Sequence, residues 1–209
     1  AAAGALSFED GLRIVRQRGR FMQEACDATR GAMAAIIGLD EPATRAVCAE
    51  AGVELANLNC PGQLVISGEA DAVARACDLA KVRGARRALP LPVSGAFHSR
   101  LMASAQPKLA VILASVAISP PAVPVIANVT ARPHGDPSTI RARLVEQVTS
   151  SVRWEDSIRY LLAQGIARFI ELGPGTALSG FVRRIDKQIQ VLNVADAQSL
   201  ETTVKTLMS

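Results

Sequence analysis

Aromatic side chains are scarce in this chain: phenylalanine, tyrosine and tryptophan make up 3% of its 209 residues. A core built from it is therefore aliphatic, and platforms for stacking nucleic-acid bases are lacking. Charge of one sign is in only mild excess, a formal net of +4. The basic residues fall in short clusters, Arg83, Arg86 and Arg87, then Arg183 and Arg184. Solvated faces are their plain reading; docking of an acidic partner or of phosphate groups is the sharper one. No nucleic acid is expected as a partner. Four cysteines, Cys26, Cys48, Cys60 and Cys77, form no C-x-x-C pair, and only two histidines could join them. No metal site follows, and the thiols read as free and mostly buried. No apolar run reaches the ~18 residues of a membrane span, and no signal peptide is evident, so no membrane association and a cytoplasmic setting are expected. Also missing is a G-x-S-x-G nucleophile elbow, which occurs nowhere between Ala1 and Ser209.

Against these absences one residue stands out. His98 ends the run Leu89-Pro90-Leu91-Pro92-Val93-Ser94-Gly95-Ala96-Phe97-His98. A strand-like stretch there breaks into a turn of small residues, the kind of place where a side chain is presented to a site. A candidate base without an activated serine suggests one half of a hydrolase- or transferase-type apparatus. The chain also opens without methionine, and Ala1-Ala2-Ala3-Gly4 reads as the end of a helix already under way. Residues preceding Ala1 are therefore expected.

Ser7-Phe8-Glu9-Asp10 resembles a capping box, and a helix is expected from about Phe8 to Ala25. Leu12, Val15, Met22 and Ala25 fall on its apolar face at spacings near 3.6 residues. Arg18 falls on the same face. A charge in an apolar stripe either snorkels to water or lines a pocket and holds an anion, and the pattern leaves both open. Strands are expected at Ala32–Ile37, Val53–Asn59, Gln63–Ser67 and Ala85–Val93, with helices at Glu41–Ala51 and Glu69–Val82. The order βαββαβ is the ferredoxin-like pattern, read as a small subdomain, residues 31–93, inserted in a larger one, residues 1–30 and 94–209. A helix Ser99–Ala114, a short buried strand Val123–Asn128, a loop Arg132–Pro137 with His134 solvated, and helices Ser138–Gln147 and Glu155–Gln164 follow. A strand Ala167–Leu172, a helix Thr176–Arg184, a strand Gln190–Val194 and a helix Ala197–Met208 complete the chain. Strand–helix alternation around the insert implies a parallel α/β core. Gly173-Pro174-Gly175 could cradle an anion at a helix N-terminus, but a tight structural turn is the simpler reading. Cys60, in a hairpin turn with no charge nearby to activate it, carries little weight as a nucleophile.

Several longer stretches carry a resemblance. They are Arg16-Gln17-Arg18-Gly19-Arg20-Phe21-Met22-Gln23-Glu24-Ala25, Gly31-Ala32-Met33-Ala34-Ala35-Ile36-Ile37-Gly38, Asn59-Cys60-Pro61-Gly62-Gln63 and Pro90-Leu91-Pro92-Val93-Ser94-Gly95-Ala96-Phe97-His98-Ser99. Ser151-Val152-Arg153-Trp154 and Glu171-Leu172-Gly173-Pro174-Gly175 follow in the same order. Together they resemble the malonyl-CoA:acyl carrier protein transacylases of fatty acid synthesis over essentially the whole chain. The resemblance implies an α/β-hydrolase-like parallel-sheet domain, here without its N-terminal part, carrying an inserted ferredoxin-like subdomain. It implies a two-step acyl transfer through a serine, with malonyl-CoA as substrate, acyl carrier protein as partner, no cofactor, and a monomer at full length. His98 matches the family's base and Arg18 the arginine that binds the free malonyl carboxylate bidentately. Gln147 matches the position whose backbone carbonyl orients the histidine, and Met22 lines the acyl pocket. Phe97 matches malonyl-selective members; its ring would exclude an α-methyl branch, a discrimination of about 1–3 kcal/mol. The family's Gly-His-Ser-x-Gly-Glu elbow and its oxyanion-hole loop both lie ahead of the region matching Ala1.

Two neighbouring readings stay open. One is the acyltransferase domain of a polyketide synthase, against which the end at Ser209 without a linker counts. The other is a non-catalytic fragment that only binds carrier protein, which has no need of Arg18 or His98.

Overall fold

The computed structural model describes residues 1–93 and 95–208. Ser94, where the second segment of the larger domain is expected to begin, and Ser209 lie outside the described residues. The chain divides into two units, Ala1–Trp154 and Glu155–Ser209.

The first unit begins with helix α1 (Phe8–Ala28), which starts where the cap pattern places it: Ser7 Oγ accepts the Asp10 N–H at 3.0 Å. Its buried residues are Ile14, Phe21, Met22, Ala25 and Cys26. The expected stripe is thus corrected in part. Leu12 and Val15 are 57% and 68% exposed, because the helix turns its Ile14–Phe21–Ala25 side toward the cluster that holds Met102, Leu109 and Leu113. Arg18 remains on this inward side.

A four-stranded antiparallel sheet follows, made of β1 (Gly31–Ile37), β2 (Glu54–Cys60), β3 (Gln63–Glu69) and β4 (Arg87–Pro90) in the order β2-β3-β1-β4. Helices α2 (Glu41–Ala51) and α3 (Ala70–Val82) cover one face. Because strand side chains alternate, Ala34, Ile36, Leu64 and Ile66 enter the core under these helices. Met33, Val65 and Ala56 form a separate cluster, against which Leu91 and Phe97 pack. β4 is shorter than the expected Ala85–Val93. Pro90 and Pro92 have no N–H to continue the ladder.

The expected helix Ser99–Ala114 is broken. A 3-10 turn, Arg100–Met102, precedes helix α3's successor, α4 (Ala105–Ala114). Pro107 accounts for the late start. Its ring and missing N–H are tolerated only in a helix's first turn, so regular α-helix cannot run through it from Ser99. The expected buried strand Val123–Asn128 is a two-residue strand β5 (Ile126–Ala127) paired with β6 (Arg132–Pro133) in the expected loop. Val123 and Val125 are exposed, and Pro124 between them offers no donor for pairing. Helix α5 (Pro137–Glu146) is capped by Asp136, whose Oδ1 accepts the Ser138 and Thr139 N–H groups. Arg141 donates to the carbonyls of Leu113 and Val116, and Gln106 donates to Val145 O and Thr149 Oγ1. These bonds tie α5 to α4 at both ends.

The second unit carries helix α6 (Trp154–Ala163), strands β7 (Arg168–Leu172) and β8 (Gln190–Val194), and helices α7 (Ala177–Ile185) and α8 (Ala197–Met208). β7 and β8 pair in parallel, as the strand–helix alternation implies. The Gly173-Pro174-Gly175 segment is a structural turn, with φ of 128° and 88° at its glycines. The helix N-terminus beyond it is already occupied, since the Glu171 carboxylate accepts the N–H groups of Leu178 and Ser179. The Ser179 side chain, together with these N–H bonds, holds Glu171 below the usual carboxylate range.

Among the described residues, no helix is long and apolar enough to cross a membrane, and no group of three or more histidines, cysteines and carboxylates could hold a metal ion.

Candidate active site

His98 sits at φ 58°, in the left-handed region that a β-carbon disfavours. Such a conformation costs on the order of 1 kcal/mol or more and persists only where the surroundings fix it. Here they do. Ser99, fully buried, donates from Oγ to Ala96 O at 2.6 Å and accepts the Leu101 N–H. On the N-terminal side, the 95–97 segment lies directly on the start of β1. A β-carbon added at Gly31 would stand 2.5 Å from the Ala96 nitrogen, so glycine is required there. Downstream, Arg100 bonds Gly52 O and Glu54 and ties the turn to β2.

The imidazole is fixed by a main-chain group. His98 Nδ1 lies 3.0 Å from Gln147 O. Gln147 is the C-cap of α5, so its carbonyl is one of the helix-terminal acceptors left without an intrahelical partner. An acceptor there requires hydrogen on Nδ1, which leaves Nε2 with a free lone pair. The Gln147 side chain donates to Ser150 O at 2.8 Å, and its Nε2 stands 3.3 Å from His98 Nδ1.

His98, Arg18, Met22 and Phe97 line one cleft of about 430 Å³. Four of the five residues singled out in the sequence thus share a cavity, and the fifth, Gln147, orients the ring at its edge. A larger cleft of about 620 Å³ also borders His98, but Arg18, Met22 and Phe97 take no part in it. Arg18 is half-buried, and no hydrogen bond or ion pair joins it to another described residue. Burial alone lowers its pKa from the usual guanidinium value. An unpaired guanidinium held in a cleft is a ready receptor for a carboxylate.

Sequence reasoning missed Met33 and Asn57, which also line the cleft. Period-two alternation carried the signal for Met33, which sits between inward-facing Ala32 and Ala34. It could not show which face of the sheet has a site. Cys60 is fully buried at the end of β2 and outside the cleft. His134, expected to be solvated, is partly buried, and its backbone N–H donates to Val125 O because the segment pairs as β6.

Burial pushes the His98 pKa below the ordinary imidazole value, and the nearby Arg18 charge pushes the same way. The bond to Gln147 O opposes them but does not win. The ring is therefore neutral, and able to accept a proton, at neutral pH. An NMR titration should find His98 half-protonated at a pH below that of a solvated imidazole, about 6.5. Arg18→Ala should move that point upward. As pH falls through the ordinary value, the unfolded chain takes up this proton before the folded one, so His98 lowers stability on acidification. A titration at or above the ordinary value would contradict the burial argument.

A partly buried, carbonyl-oriented base in one cleft with a guanidinium that no other described residue pairs suits transfer of a group that carries a carboxylate. The family described as acyl transferase domain matches residues 1–206, and the chain belongs to it. The malonyl CoA-acyl carrier protein transacylase of Bacillus subtilis (strain 168) is 49% identical to it, over 99% of this chain and 67% of that protein. The malonyl CoA-acyl carrier protein transacylase structure from Coxiella burnetii superposes with a TM-score of 0.96 at 42% identity, covering 99% of this chain and 67% of that one. A malonyl-transacylase solved in complex with its type II polyketide acyl-carrier protein gives 0.95 at 40% identity, covering 98% of this chain and 67% of that one. The chain thus spans about two thirds of the length of these relatives.

Proposed function

We propose that this chain supplies the base and the carboxylate receptor of a malonyl-CoA:acyl carrier protein transacylase of fatty acid biosynthesis. The observation that carries the reading is the shared cleft, in which His98, oriented by Gln147 O, stands with an Arg18 that has no partner among the described residues. The nucleophilic serine then belongs to the third of the family's length that this chain does not span.

In this reading His98 Nε2 takes the serine proton as the hydroxyl attacks the malonyl thioester. The C–S bond breaks, and the imidazolium returns its proton to the departing CoA sulfur. The second half runs in reverse, with His98 deprotonating the phosphopantetheine thiol of acyl carrier protein as it attacks the acyl-serine and the serine regains its proton. Arg18 holds the malonyl carboxylate through both halves, while Met22 and Phe97 wall the acyl group. Nucleophile, base and clamp are all side chains, so the transfer so written calls on no cofactor.

The finer architecture belongs to the same proposal: an α/β-hydrolase-like domain of residues 1–30 and 94–209, with a ferredoxin-like subdomain over 31–93. The sheet order β2-β3-β1-β4 supports the second part and the parallel β7–β8 pair the first. A cytoplasmic monomer completes it.

Intact mass spectrometry tests the reading. This chain joined to the serine-bearing remainder of the family's length and incubated with malonyl-CoA should gain one malonyl group and lose it on addition of holo acyl carrier protein. A protein that takes up no acyl group would sink the proposal.

A further inference from the structure

The aromatic ring of Phe97 is partly buried. It packs against the Met33–Ala56–Val65 cluster on the open face of the sheet and also against the cluster that holds Met22 and Cys26. It folds back over its own backbone as well. A β-carbon built at Gly95 would lie 3.0 Å from Phe97 Cζ and 3.2 Å from Cε1, closer than ordinary van der Waals contact. It also lines the cleft that it shares with Arg18 and His98. A shift of the ring, toward the cleft or back where a neighbour has been made smaller, therefore changes the room in that cleft.

The geometry points to Met33 and Gly95 as positioning residues that set how far the Phe97 ring reaches into the cleft, and so whether an acyl group branched at its α-carbon is admitted. This rests on the transacylase reading above. Met33 is 6% exposed and lies behind the ring as well as on the cleft wall. Its backbone is pinned, since its carbonyl accepts the Leu91 N–H at 2.9 Å. Shortening its side chain vacates space that only neighbouring side chains can fill, and Phe97 is one of them. Gly95 acts in the opposite sense, because any side chain there presses on the ring's outer edge. Interiors are close-packed, so a displacement of one methyl group's size is transmitted rather than absorbed.

The test is the ratio of kcat/KM for methylmalonyl-CoA to that for malonyl-CoA, read by loading of acyl carrier protein. Met33→Ala is expected to raise the ratio roughly tenfold, the discrimination that one methylene-sized group commands. Met33→Val, which removes less volume, should move it the same way by less and covers the case in which the alanine variant does not fold. Gly95→Ala is made with Cys26→Ala, because the new β-carbon would otherwise stand within 2.3 Å of Cys26 Sγ. This pair should lower the ratio relative to Cys26→Ala alone, which by itself leaves the ring more room. In a Phe97→Ala background, Met33→Ala should leave the ratio unmoved, since the ring through which it acts is gone. A merely structural role would slow both substrates equally. Ratios that stay within about twofold of the unsubstituted protein, or that move in the same direction for both positions, overturn the inference while leaving the transacylase reading intact. Unsubstituted protein that carries the serine-bearing remainder and still loads neither acyl group overturns both.

Discussion

Replacing His98 by alanine is expected to lower kcat for malonyl transfer by about a thousandfold, in the middle of the 10²–10⁴ range of a positioned general base. The expectation rests on geometry. Gln147 O fixes hydrogen on Nδ1, and Nε2 is the only atom of the ring left to accept a proton. Thermal stability should barely change. Alanine bears only a slightly larger left-handed backbone penalty at φ 58° than histidine does, and the helix-terminal carbonyl it leaves behind can bond to water. His98→Asn tolerates that backbone better but lacks an imidazole lone pair, so it should be as inactive as the alanine variant and at least as stable. A loss of less than about tenfold in either variant would remove His98 from the chemistry.

Arg18→Ala should have the next largest effect, on specificity as much as on rate. Losing a bidentate partner to a carboxylate in a partly dry cleft is worth about 3 kcal/mol, or roughly a hundredfold in kcat/KM for malonyl-CoA. Acetyl-CoA, which offers no carboxylate, should lose little, so the preference between the two narrows or inverts. Arg18→Lys keeps the charge but not the planar fork and should fall between. The stability readout has a sign of its own. Among the described residues no ion pair or hydrogen bond is broken by the substitution, and a half-buried charge is relieved of its desolvation, so the melting temperature should hold or rise. If malonyl and acetyl transfer decline in parallel, Arg18 is a packing residue and not a carboxylate receptor.

Much of this site could be read before any coordinates. Local chemistry marked the Ser7 cap, the α2 helix and the βαββαβ order, because each depends on neighbours in sequence. Arg18 could be singled out because a charge interrupts an apolar stripe. What it does there could not be read from the stripe, since snorkelling and binding produce the same pattern until the opposite wall of the cleft is known. The exposure of Leu12 and Val15 escaped the pattern for a related reason: periodicity gives the spacing of a face but not the angle at which the helix is turned to its neighbours. Pro107 and Pro124 broke a helix and a strand drawn through them. Met33 and Asn57 were missed because the sheet has two faces, and alternation alone does not say which of them is left open for a ligand.

The acceptor that sets the tautomer of His98 belongs to the backbone, and this changes how the site can be altered. A scan that trims side chains one at a time will pass over Gln147 without removing the bond, since every amino acid brings the same carbonyl to that position. Mutation can reach the contact only by disturbing where the last turn of α5 ends, for example through Gln106, whose amide holds that turn from a different helix. Drift at position 147 is therefore cheap and drift in the packing around it is not. The sequence of a distant homologue could lose its glutamine while keeping the proton where the chemistry needs it.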